Sequence, residues 1–160
     1  MTVYVLKWAD PGGNGSVANP DCSGDLVQNR YTLDLASTPL KGVTLIAGDI
    51  IDFGIISGNA IVTDVIIDSD DLDSNATPTL AYDVGVLSGA PGDVGTRTCG
   101  SEFFAASTAS QAAGVTRMSL NTGFRVAAVA KDTSIGIKIT TASATLPTTG
   151  KMSLMVTVKG

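Results

Sequence analysis

The sequence has no histidine, only two cysteines, and aromatic side chains at just 5% of its 160 residues. The missing histidine excludes the usual Ser–His and Cys–His nucleophile pairs and every zinc site that needs an imidazole. Two cysteines cannot supply the four thiolates of a sulfur-only zinc site. Aspartate is plentiful, but no pair of carboxylates stands out. The sequence therefore favours a protein that is not an enzyme and uses no cofactor, with a carboxylate-based enzyme as an alternative.

Charge is also scarce. Charged residues make up 16% of the chain, against about 25% in an average soluble domain. The ten basic residues are scattered along a chain of net charge −5, which argues against nucleic acid because phosphate binding needs clustered Lys and Arg. A surface this poor in charge indicates either a chain covered by its neighbours or a monomer coated in Ser, Thr, Asn and Gly.

Long apolar runs are missing too. Uncharged stretches such as residues 103–116 fall short of the roughly 18 apolar residues that a membrane helix needs. The N-terminal MTVYVLKWAD lacks the basic and apolar regions of a secretory signal. We therefore expect no membrane partner and a protein made in the cytoplasm, where Cys22 and Cys99 would be free thiols.

What the chain does contain is alternation of apolar and polar residues, which is typical of half-buried strands. The alternating segments are residues 31–36, 80–87, 124–128, 135–140 and 152–159. The runs GDIIDFGIIS and NAIVTDVIID are more continuously apolar and β-branched and predict central strands, and residues 3–8 predict another. About eight strands at spacings of about ten residues predict an all-β, antiparallel, jelly-roll-like β-sandwich.

Two segments depart from this pattern. Residues 101–113, in SEFFAASTASQAAG, are Ala-rich without alternation, and Ser101 and Gly114 could cap them, so a short α-helix is expected there. Residues 9–29 have no period and many Gly, Pro, Asn and Asp. We therefore divide the chain into an N-terminal strand and irregular arm over residues 1–29 and a sandwich domain over residues 30–160.

The stretch DSDDLDSN, residues 68–75, is the one cluster that suggests metal chemistry. Asp71, Asp73 and Asn75 have the spacing of the first calcium ligands of an EF-hand loop. However, Ala76 stands where the turn glycine belongs and Tyr82 where the bidentate glutamate belongs. A solvated loop between strands is therefore the preferred interpretation, with no metal site, and a looser calcium site at these three residues is the alternative.

The order of these segments resembles the head decoration, or capsid cement, proteins of tailed bacteriophages. The resemblance is carried by GDIIDFGIISGNAIVTDVIIDSDDLDSN, TPTLAYDVGVLSG, SEFFAASTASQAAGV and IKITTASATLPTTGKMSLMVTV, and it spans residues 43–158. It implies a sandwich on the outer surface of an icosahedral capsid, assembled in the host cytoplasm as a homotrimer that binds the major capsid protein. The N-terminal arm, which matches nothing in the resemblance, is expected to touch a neighbour or the shell.

Two other functions remain as alternatives. A tail or baseplate protein would share the sandwich but lack the shell-binding surface. A calcium-assisted carbohydrate-binding sandwich would respond to calcium and to EDTA.

Overall fold

In a computed structural model, the structure describes residues 1–10 and 26–160. Nine β-strands make up the regular structure of this part of the chain. They are β1 (Val3–Val5), β2 (Leu26–Asp34), β3 (Ile50–Ile56), β4 (Ile61–Ser69), β5 (Ala81–Leu87), β6 (Phe104–Ser107), β7 (Gly114–Arg117), β8 (Thr133–Thr141) and β9 (Lys151–Lys159). No helix of the described ranges is long and apolar enough to cross a membrane.

The strands form two sheets that face each other. Sheet A has the order β1-β3-β8-β5-β6, and sheet B has the order β2-β9-β4-β7. All pairs are antiparallel except β1 with β3. The predicted all-β sandwich is therefore confirmed, with the two faces closed around one aliphatic core.

The alternation seen in the sequence places the core as expected. In β9, Met152, Leu154, Val156 and Val158 are buried, while Lys151 and Lys159 at the strand ends are exposed. Strand β3 is buried along its whole length, as its continuous apolar run predicts.

The α-helix predicted for residues 101–113 is wrong. Strand β6 pairs with β5 in sheet A, a 3-10 turn at Ala109–Gln111 crosses to the other layer, and β7 pairs with β4 in sheet B. Phe103 and Phe104 are buried in the core. The local preference of alanine for a helix is overridden because this segment can close one edge of both sheets.

The strand predicted for residues 124–128 is also wrong. A 3-10 turn occupies Gly123–Arg125, and no strand is assigned between that turn and β8. Phe124 is exposed in this turn and Val126 is only half-buried, so the short alternation does not reflect a buried face.

At the N-terminus, β1 joins sheet A beside β3, and β2 begins at Leu26, four residues before the predicted start of the sandwich. Most of the predicted arm, together with Cys22, lies outside the described residues. The division into residues 1–29 and 30–160 stays a prediction.

Candidate functional site

The aspartate-rich loop between β4 and β5 is organised around one carboxylate. Asp73 is buried, at 1% exposure, and its Oδ2 accepts backbone N–H groups of Thr79 at 2.7 Å, Leu80 at 3.0 Å and Ala144 at 3.0 Å. Its Oδ1 accepts the N–H of Thr145 at 2.9 Å. One side chain therefore ties this loop to the start of β5 and to the β8–β9 connection.

These hydrogen bonds control the ionisation of Asp73. Burial alone would raise the pKa of the carboxyl group, but the N–H donors from Thr145, Thr79, Ala144 and Leu80 outweigh it and lower the pKa to about 2. The side chain is thus a charged acceptor for backbone amides across the whole neutral and mildly acidic range.

The other two candidate ligands make local turns. Asp71 Oδ1 accepts the N–H of Asp73 at 2.9 Å, and Asn75 Oδ1 accepts the N–H of Thr77 at 2.9 Å. Among the residues that the structure describes, no group of three His, Cys, Asp or Glu side chains is placed to hold a metal ion. The preferred interpretation, a solvated loop without a metal site, stays a prediction, and so does its alternative, a loose calcium site at Asp71, Asp73 and Asn75; the response of the melting temperature to calcium and EDTA distinguishes them.

A second polar centre lies on the outer face of sheet A, where residues 88–100 fold back over the strands. Arg97 is 1% exposed there, and its Nη1 donates to Asp52 Oδ2 at 2.5 Å and its Nη2 to Ser134 Oγ at 2.7 Å. Its Nε donates to the carbonyl of Ser88 at 2.6 Å. The guanidinium group therefore pins the loop to β3 and β8.

Sequence patterns did not reveal this centre. Asp52 lies within the apolar run of β3, where its opposite-face neighbours Ile51 and Phe53 enter the core. A single acidic residue within a buried strand was the sequence feature that could have indicated this centre. Its partner Arg97, however, is 45 residues away in the chain. Burial raises the pKa of Asp52, against the opposing effect of the Arg97 hydrogen bond.

The thiol of Cys99, in the same 88–100 loop, has low reactivity. Burial, with a further contribution from the negative charge of Glu102, raises the pKa of Cys99 to about 12. Cys99 is a free cysteine, as predicted. At neutral pH it remains a protonated thiol and a poor nucleophile.

The outer face of sheet B differs from that of sheet A because no segment of the described chain packs over it. Its central row places Met155 beside Ile66, both half-buried, between Arg30 on β2 and Arg117 on β7. Three ion pairs surround this row: Arg30–Asp68 at 2.8 Å, Arg117–Asp64 at 2.9 Å and Lys151–Asp34 at 3.7 Å. The result is an open face with an apolar centre and a charged but internally balanced border, the usual composition of a protein contact surface.

Comparison with known proteins shows to which family the chain belongs. No family model and no curated protein matches the chain. Among solved structures, a chain in the capsid of Ralstonia phage GP4 is 35% identical with a TM-score of 0.86, and the match covers 99% of this chain and 98% of that chain. The chain belongs to this family of bacteriophage capsid proteins.

A chain in the capsid asymmetric unit of cyanophage Pam1 has the same fold, with 24% identity, a TM-score of 0.66, and coverage of 93% of this chain and 98% of that chain. The broad part of the sequence resemblance, a structural protein of a phage capsid, is confirmed.

Proposed function

We propose that this capsid protein is a decoration, or cement, protein that binds the outer surface of the icosahedral shell as a homotrimer. The observation that carries the proposal is the 35% identity, over nearly the whole chain, to a component of the GP4 capsid. The sequence resemblance to cement proteins supplies the finer role. The compact sandwich, whose core is complete within one chain, supports an added component that folds before it attaches.

We place the contact with the major capsid protein on the outer face of sheet B. The outer face of sheet A supports this choice by contrast, because the 88–100 loop and Arg97 already cover it. Each single contact can be weak. Several copies that engage neighbouring shell subunits at once gain affinity through their high effective concentration.

The test uses phage heads that lack this protein, mixed with the purified protein. The measurements are co-sedimentation, the position of added density by electron microscopy, and the temperature at which the heads release DNA. We expect saturable binding on the outside of the head and a higher release temperature. Binding to tails or baseplates, or no binding to heads, would contradict the proposal.

Two variants locate the contact. Met155→Glu replaces the apolar side chain at the centre of the open face with a charged one, which must be desolvated in the contact, and should weaken attachment. Val94→Glu is the matched control, because Val94 is 73% exposed at the tip of the loop that covers sheet A. Equal binding of both variants would show that the shell does not contact the outer face of sheet B.

A further inference from the structure

Sheet B ends in a strand whose outer edge is free. Strand β7 lies last in the order β2-β9-β4-β7 and pairs only with β4. The N–H of Met118 donates to the carbonyl of Val65 at 2.9 Å, so this pair is hydrogen-bonded, and hydrogen-bonded pairs alternate along an antiparallel ladder. In the observed register Thr116 therefore bonds to β4, whereas the backbone groups of Val115 and Arg117 point away from it.

These backbone groups are available to another chain. Within the described part of the molecule, no hydrogen bond outside the β4–β7 ladder involves the N–H or C=O of Val115 or Arg117. The side chain of Val115 is 68% exposed, and an added Cβ at Gly114 meets nothing within 4 Å. An open strand edge of this kind fits one shape of partner, an extended segment that adds as a further strand.

The neighbouring end of sheet A is protected against such pairing. Strand β6 shifts register against β5, and Ala106 in β6 has a φ of 45°, which is unusual for alanine. The N–H of Ala106 is occupied, because it donates to Asp83 Oδ1 at 2.8 Å. A bulged edge strand bends away from a straight partner. An added strand is therefore favoured at β7 and not at β6.

A groove of about 350 Å³ between β6 and β7 sets the chemistry of that strand. The described residues that line it are small or apolar and uncharged, and they include Phe104, Ala105, Ala109, Thr116 and Leu120. Because side chains alternate along a strand, a segment beside β7 directs every second side chain into this groove and the others over the outer face of sheet B. A charged side chain in the groove would lose water without gaining a partner. The groove therefore selects uncharged, small or apolar residues at alternate positions of the segment.

We infer that this segment belongs to the major capsid protein and adds as a fifth strand to sheet B beside β7. The inference rests on the proposed function, which places the shell contact on the outer face of sheet B, and the added strand extends that same face. A second copy of this chain is a poorer occupant. Strand β7 has four residues, and a contact of that length buries much less than the roughly 1,200 Å² of a stable protein pair. On a shell, where several copies bind neighbouring subunits at once, so small a contact is sufficient.

Proline at position 115 tests the backbone contact. Because the N–H of Val115 points away from β4, Val115→Pro removes no hydrogen bond within the chain and should leave the circular dichroism spectrum unchanged. It removes the donor for the added strand and places a ring in its path, so binding to phage heads that lack this protein should weaken by about tenfold or more. Val115→Thr is the matched control, because it keeps the N–H and the β-branched shape, and it should bind like the wild type.

A second pair of variants tests the groove without using proline. Ala105→Phe fills the groove with an aromatic ring and should also weaken head binding by about tenfold. Ala90→Phe makes the same change at an exposed position in the 88–100 loop and should bind like the wild type. Electron microscopy of heads decorated with the wild-type protein should show an extended segment of the shell subunit beside β7.

The outcomes separate this inference from the proposed function. A wild-type protein that does not bind heads would overturn both. Wild-type binding that the folded Val115→Pro or Ala105→Phe variant retains would overturn the inference and leave the proposed function in place. A variant that loses head binding together with a lower solution mass by light scattering would identify a second copy as the occupant, which also overturns the inference.

Discussion

At the scale of single residues, a few close contacts set the spacing between the two sheets. The ring of Tyr31 in β2 lies against Gly54 in β3, and its hydroxyl donates to the carbonyl of Ile55 at 2.7 Å. A Cβ atom at Gly54 would overlap that ring. Glycine is required here because the aromatic ring occupies the space of a side chain.

We predict that Gly54→Ala destabilises the protein by about 1–3 kcal/mol, because the Tyr31 ring must move within a packed core. Urea unfolding measures the change. Gly114→Ala is the control, since an added Cβ at Gly114 meets nothing within 4 Å, and its effect should stay within about 0.5 kcal/mol. Equal stabilities of the two variants would show that the ring accommodates the methyl group.

Asp73 is the second residue with a disproportionate role. In Asp73→Asn, the amide NH2 group must face at least one of the four backbone donors, whichever way the side chain is turned. We predict a loss of about 1.5–3 kcal/mol at neutral pH. Asp71→Asn, in the same loop, should change little because its exposed side chain accepts only one N–H.

The pH dependence of this loss has a defined sign. The pKa of Asp73 falls from its ordinary value of 3.8 to about 2 on folding. The stabilisation from the charged form is therefore complete above about pH 4 and is lost as the pH falls towards 2. The stability difference between wild type and Asp73→Asn should shrink over that interval, and a difference that grows on acidification would contradict this assignment.

At the scale of elements, the 88–100 loop packs over the outer face of sheet A and is held there by the buried side chain of Arg97. Arg97→Met leaves Asp52 buried without its cation, and we predict a loss of about 3–5 kcal/mol together with faster hydrogen exchange in the loop. Asp52→Leu combined with Arg97→Met should lose less than the single variant, because the unpaired charge is gone. A double variant as unstable as the single one would show that loop packing, not the charge, causes the loss.

The segment from β6 to β7 shows how element type depends on context. The hydroxyl of Tyr82 lies 2.7 Å from Ser110 Oγ, with both side chains buried, so the turn between the two layers is anchored in the core. A helix over the same residues could not contribute one edge strand to each sheet. The two edge strands are favoured over a helix because they satisfy backbone hydrogen bonds along both β5 and β4.

At the scale of the whole molecule, the distribution of charged residues over the fold accounts for the low charge content of the chain. The core of the sandwich is aliphatic, and six of the sparse charges are gathered into three ion pairs on sheet B. Such a surface suits a chain that is covered by neighbours in its assembly.

The proposed trimer has a consequence for heat stability. If folding and association are coupled, the melting temperature should rise with protein concentration, since mass action favours the associated folded state. Calorimetry over a hundredfold range of concentration measures this. A melting temperature that is independent of protein concentration would contradict a trimer whose folding and association are coupled.

The fold class and the main strands could be predicted from local patterns in the amino-acid sequence. Alternation in residues 152–158 predicted one core strand, because a period of two places one set of side chains in the core whatever the partner strand. The continuously apolar, β-branched runs around Phe53 and Val65 predicted two central strands. The order of the sequence segments, through its resemblance to phage head proteins, correctly indicated a structural protein of a capsid.

Features that depend on residues distant in the chain could not be predicted from local sequence patterns. The strands at residues 104–107 and 114–117 form because β5 and β4 offer open edges, and no local pattern shows that. Asp73 was read as a member of an acidic loop, yet its partners include Ala144 and Thr145, about 70 positions further along the chain. Arg97 and Asp52 likewise meet only when the loop folds over sheet A. Local periodicity fixes which face of a strand is buried, whereas the identity of each polar partner is set by which segments the fold brings together.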